Sequence, residues 1–142
     1  VYHLSKEFRF EAAHRLPDHD GKCARLHGHS WRGVVHVSGH RLEQEGPKAG
    51  MLLDYGIVKG LVADLVEEKL DHHYLNETLP DLGPPTSENL ARFIYDYVQG
   101  RLVQMGLFPT VCSVTKVTIE ETCTSACVYD GERMHDPRMA GL

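Results

Sequence analysis

YHLSKEFRFEAAHRL, residues 2–16, alternates along its whole length. Tyr2, Leu4, Phe8, Phe10, Ala12, His14 and Leu16 occupy even positions, with Lys6 the one charge among them. His3, Ser5, Glu7, Arg9, Glu11 and Arg15 occupy odd ones. A period of two is the signature of a half-buried strand, because successive side chains point to opposite faces of a sheet. His14 therefore falls on the apolar face, an uncommon place for an imidazole. Pro17, Asp18, Asp20 and Gly21 break the strand, and a second alternating run follows over residues 27–39. There His27, His29, Trp31, Val35 and Val37 oppose Ser30, Arg32, His36 and Ser38. In an antiparallel hairpin directly opposed residues share a face. A register with His14 opposite His27 or His29 sets Phe8 and Phe10 against Gly33, Val35 and Val37, so the pattern that builds a core also gathers three imidazoles at one end of it.

The remaining chain reads as two amphipathic helices and a second hairpin. From Asp54, a candidate N-cap, Ile57, Leu61 and Leu65 form one row and Val58, Val62 and Val66 the next, out to Leu70. Asp71-His72-His73-Tyr74 follows as a loop, and Leu79 to Pro85 as a proline-rich connection. Thr86 or Ser87 caps a second helix carrying Leu90, Phe93, Ile94, Tyr97, Val98 and Met105. Val114 to Thr122 alternates again and places Glu121 on the inward side with Val117 and Ile119. A turn at Thr124-Ser125 leads to a last strand, Cys127 to Tyr129. Glu132 to Leu142 has no period and is expected to be a loose tail. The prediction is one α+β domain spanning 1–142, with a four-stranded antiparallel sheet, two helices on one face and the order ββααββ.

Composition narrows the function classes. Lys+Arg 15 against Asp+Glu 20 gives a net charge of −5, which argues against nucleic acid and anionic membrane surfaces as partners. The sequence contains no apolar run long enough to span a bilayer and no signal-like N-terminal pattern, so a soluble cytoplasmic protein is expected. Four irregularly placed cysteines do not form a disulfide framework, and reduced thiols are the expectation.

Three imidazoles on one face suit Zn²⁺ with an open fourth position. The bland alternative is a hydrogen-bonded core histidine at 14 and a HisGlyHis string that merely opens a strand. Cys23, four residues before His27, is either a fourth ligand closing a structural site or a thiol beside an open metal that moves protons. Asp71-His72 is an acid–base pair or a surface loop. An inward Glu121 needs a partner. A structural Arg or Lys would serve, as would a ligand with two adjacent N–H donors, such as a pterin or guanine ring.

Assembled in order, these residues resemble the 6-pyruvoyltetrahydropterin synthase family. The matching segments are FEAAHRL at 10–16, CARLHGHS at 23–30, LDHHYLN at 70–76, PTSENLA at 85–91 and ETCTSAC at 121–127. The short gap between Cys23 and His27, Ser30 after the histidine pair, and the run following Glu121 resemble the branch that forms 6-carboxytetrahydropterin. The resemblance implies a tunnelling fold, in which trimers close their sheets into a barrel and two trimers stack into a homohexamer with active sites between subunits. It implies Zn²⁺ on His14, His27 and His29, Cys23 as the proton-transferring thiol, Asp71-His72 reaching in from a neighbour, and Glu121 anchoring the pterin. The implied reaction converts 7,8-dihydroneopterin triphosphate to 6-carboxy-5,6,7,8-tetrahydropterin, releasing triphosphate and acetaldehyde, on the route to queuosine. Two alternatives stand beside it. One is the same fold forming 6-pyruvoyltetrahydropterin. The other is a non-catalytic domain with a closed Cys23-His14-His27-His29 zinc.

Overall fold

The computed structural model describes residues 1–132, so the expected C-terminal tail lies, from residue 133 onward, outside the described residues. Strand β1, Tyr2–His14, and strand β2, His27–Gly39, form one long antiparallel hairpin in the register Phe8↔Gly33, Phe10↔Trp31, Ala12↔His29 and His14↔His27. The register is enforced by packing. Phe8 and Phe10 stack at 6.1 Å between ring centroids and Phe10 stacks on Trp31 at 5.7 Å. Gly33 has no side chain because the Phe8 ring lies where its Cβ would be. A one-residue slip would turn this aromatic file to solvent.

Helix α1, Tyr55–Leu65, starts at Asp54, whose carboxylate accepts from the Gly56 N–H at 2.7 Å. It buries Val58, Leu61, Val62 and Leu65 and runs on as a π-helical turn, Val66–Leu70. Helix α3, Ser87–Gln104, is capped by Thr86, whose hydroxyl accepts from the Asn89 N–H, and buries Leu90, Ala91, Ile94, Val98 and Leu102. It ends before Met105, which is exposed rather than part of the apolar stripe. Strands β4, Ser113–Thr122, and β5, Ser125–Tyr129, form the second hairpin through a turn at Cys123 and Thr124.

Two features differ from the expected four-stranded antiparallel sheet with two helices. His73–Tyr74 forms a strand, β3, that pairs in parallel with Ala12 and Ala13 of β1, so the sheet has five strands, is mixed, and runs β3-β1-β2-β4-β5. A one-turn helix, α2, Leu75–Thr78, adds a third helix. Two residues are too few to display a period, so β3 reads as loop, and only its pairing with β1 makes it a strand. The buried strand residues Phe10, Ala12, Trp31, Val35, Val37, Val117 and Ile119 join the helix stripes in one core. Among the described residues no helix is long and apolar enough to cross a membrane.

Candidate metal centre

The hairpin register brings His14, His27 and His29 together at the end of the core file. Their ring centroids lie 4.6, 5.0 and 5.1 Å apart, and Trp31 sits edge-on to His14 and His29. Trp31 is itself pinned by its indole N–H, which donates to the Ala12 carbonyl at 3.1 Å. His14 is 1% exposed. Its Nδ1 lies 2.8 Å from the Pro85 carbonyl, and Nδ1 of His27 lies 2.6 Å from the Arg25 carbonyl. A carbonyl can only accept, so both rings are protonated at Nδ1 and present the Nε2 lone pair inward, the orientation that outer partners impose on metal-binding histidines.

A carboxylate joins them. Glu121 Oε1 lies 2.9 Å from His29 Nε2 and 3.3 Å from His14 Nε2, and one ligand atom from each of His14, His27, His29 and Glu121 falls within 4.8 Å of all the others. Glu121 is aimed there by the irregularity in β4–β5 pairing between Glu120 and Thr122, which leaves it unpaired, the usual way a bulge re-aims a side chain. Neither contact is directed as a hydrogen bond, so Nε2 of His14 and of His29 are buried without a hydrogen-bond partner. Burial holds His29 below the ordinary imidazole range, and neighbouring His14 and His27 add to this against the pull of Glu121. Two orphaned, inward nitrogens, a third beside them and a nearby carboxylate fit a divalent cation of borderline softness.

The other expected site residues lie outside this group. Cys23 is half-buried in a 3₁₀ turn, Lys22–Ala24, whose carbonyl at Cys23 accepts from the Leu16 N–H at 2.8 Å. Asp71 and His72 form their pair in the loop before β3, with His72 Nδ1 3.0 Å from Asp71 Oδ2. His72 has φ 59°, the left-handed conformation that lets adjacent side chains meet. The pair is tied to β1 at one residue: Asp71 accepts from the Glu11 N–H at 2.8 Å, and the His72 N–H donates to the Glu11 carbonyl at 2.6 Å. The Glu11 N–H, followed by His72, holds the Asp71 carboxyl below the usual range. A surface cavity of about 520 Å³ is lined by His72 and His29, and a second of about 470 Å³ by His29, Glu121, Arg9 and Arg32. Arg32 escaped sequence reasoning, since an arginine on a polar strand face reads as a solvated charge. It bridges Glu7 at 3.0 Å and Glu120 at 2.9 Å. Glu121 as a neighbour of the imidazoles was also missed, its only sequence signal being strand parity.

The sequence matches the family described as 6-pyruvoyl tetrahydropterin synthase over residues 3–132. The chain belongs to that family. Within the 6-pyruvoyl tetrahydropterin synthase family it is 46% identical over 131 residues to a Synechocystis relative named 6-carboxy-5,6,7,8-tetrahydropterin synthase, covering 92% of this chain and 95% of the relative. It is 29% identical over 143 residues to the human relative named 6-pyruvoyl tetrahydrobiopterin synthase, covering 91% of each. The solved 6-pyruvoyl tetrahydropterin synthase of Caenorhabditis elegans superposes with a TM-score of 0.73 at 27% identity, covering 92% of this chain and 96% of that one.

Proposed function

We propose that the chain is a zinc-dependent carbon–carbon lyase that converts 7,8-dihydroneopterin triphosphate to 6-carboxy-5,6,7,8-tetrahydropterin, releasing triphosphate and acetaldehyde, in the cytoplasmic route to queuosine. The observation that carries this reading is the cluster of His14, His27, His29 and Glu121 on a chain 46% identical to a protein named 6-carboxy-5,6,7,8-tetrahydropterin synthase. Membership of the family and kinship with relatives of that name make the chain a lyase. Four unpaired cysteines are in keeping with a reducing compartment.

His14, His27 and His29 would hold the metal through Nε2, with Pro85 and Arg25 fixing two of the rings. When bound, Zn²⁺ would polarise the hydroxyl and carbonyl oxygens of the substrate side chain and lower the barrier to removing adjacent protons. Cys23 takes such a proton as thiolate. Asp71 fixes the tautomer of His72, leaving Nε2 to accept and return a proton as triphosphate leaves and the carbon–carbon bond breaks. Glu121 accepts two N–H donors of the pterin ring. The proximity of its carboxylate to two imidazoles makes a fourth donor to the metal the competing reading of Glu121.

The proposed assembly is a homohexamer of two trimers with sites between subunits. Both sheet edges support it. Among the described residues β3 covers only Ala12 and Ala13 of β1 and β5 ends the sheet, which leaves two rows of backbone donors and acceptors that other strands would satisfy.

Cys23→Ala decides between enzyme and closed structural zinc. The lyase reading expects retained zinc and folding with turnover of dihydroneopterin triphosphate lost. Loss of zinc together with unfolding would establish Cys23 as a structural ligand. Mass spectrometry of the wild-type product separates the two branches, and retention of the full side chain would sink the carboxy-forming choice.

A further inference from the structure

The hairpin that carries the histidine cluster runs from His14↔His27 at one end to Tyr2↔Gly39 at the other. Twelve residue steps at roughly 3.3 Å put the far end about 40 Å away. There the solvent face of the sheet changes character. In its middle every arginine is neutralised: Arg32 bridges Glu7 and Glu120, and Arg9 pairs with Glu7 at 2.6 Å. The two terminal rungs, His3↔Ser38↔Ser113 and Ser5↔His36↔Lys116, hold cations, imidazoles and hydroxyls and no carboxylate. Lys116 directly opposite His36 is a like-charge arrangement that a sheet does not gain from once the imidazole is protonated.

Beside these rungs opens a cavity of about 460 Å³, lined by Ser38, His40, Arg41, Thr110 and Ser113, again with no acidic residue among the described residues. Ser38 and Arg41 make no side-chain hydrogen bond or ion pair with the described residues, which leaves a hydroxyl and a guanidinium free at the cavity. Burial holds His36 below the usual imidazole range, and the charges that add to this are Lys116 and His3. A carboxylate-free basin of this kind, in a chain of net charge −5, is not general surface polarity.

We propose that this basin binds a phosphate-bearing small molecule, with Arg41 and Ser38 as its principal contacts and Lys116 and His36 on the adjoining rung. A guanidinium offers a planar pair of donors to two oxygens, and the hydroxyls and ammonium group supply donors for the rest of a tetrahedral dianion. A carboxylate has too few oxygens to use them. The cavity falls in the small-molecule range of roughly 300–1,000 Å³, large enough for a phosphate ester with an organic body. Its distance from the histidine cluster separates it, within one chain, from the proposed pterin site, and its test does not require that reading to hold.

The test is calorimetric titration of the metal-loaded full chain with glycerol 3-phosphate and inorganic triphosphate, with acetate as the control anion. Saturable binding of at least one phosphate compound is expected. Arg41→Gln should weaken it at least tenfold, Ser38→Ala severalfold, and Glu121→Gln not at all. Because Arg41 is exposed, its variant reports binding and not folding. Bound ligand should also raise the His36 pKa followed by NMR, which a merely structural role for Arg41 would not do. Absence of saturable binding, undiminished binding in Arg41→Gln, or acetate binding as tightly as the phosphates would overturn the proposal. Loss in Glu121→Gln alone would also overturn it, by assigning the anion to the histidine cluster.

Discussion

At the scale of single residues, position in the register decides what each imidazole can do. His14 is buried, has one nitrogen committed to Pro85 and the other orphaned, and so is poised for a ligand. Glu121→Ala separates the two roles its carboxylate can play: pterin binding measured by fluorescence is expected to disappear while zinc content, by atomic absorption, stays at the wild-type level. Zinc lost in that variant would instead make Glu121 a ligand, as its 2.9 Å approach to His29 allows. The Asp71 carboxyl gives a pH signature. Its folded pKa is depressed by the Glu11 N–H, so its contribution is complete above the ordinary Asp value of about 3.9 and is lost as pH falls through the lower folded value. The Glu11 amide resonance should titrate with a midpoint below that ordinary value, and Asp71→Asn should abolish the step.

At the scale of elements, the β1–β2 hairpin is both core and scaffold. Gly33→Ala would drive a methyl group into the Phe8 ring, at an expected cost of about 1–3 kcal/mol, since overpacking forces the aromatic file off its rotamers. A lowered midpoint in urea checks this. Unchanged stability would mean that Phe8 swings clear and does not pin the register. The alternation of residues 2–16 and 27–39 was legible in the sequence and left two registers, with His14 opposite His27 or His29; the structure takes the first. Also legible were the caps at Asp54 and at Thr86 or Ser87, of which the structure uses Thr86, because capping is a contact between near neighbours. Strand β3 was not, since two residues acquire strand character only from a partner far away in the chain, at Ala12 and Ala13.

At the scale of the whole molecule, the proposed ligands His14 of β1 and His27 and His29 of β2 would couple a bound metal to the fold. Ions that bind the native but not the unfolded chain stabilise it by mass action. Removing the metal with a chelator should lower the thermal midpoint by several degrees, and added Zn²⁺ should restore it. An unchanged midpoint would separate the cluster from stability. Native mass spectrometry of the untreated protein should give six copies, and a monomer would remove the inter-subunit site from the proposal.

The sequence by itself determined the two strands and the face each presents, and hence that three imidazoles share one face, because a period of two is a local property that each strand carries without help. It also carried the ordered segments that mark the family. Which of His27 and His29 lies opposite His14 was decided by packing. Only the tertiary structure decided that Glu121 comes within reach of His14 and His29, that Pro85 and Arg25 carbonyls orient two of the rings, and that Asp71 and His72 are tied to Glu11. Each of these depends on a bulge, a loop carbonyl or a left-handed residue. Such irregularities have no period to read and take their geometry from whatever packs against them.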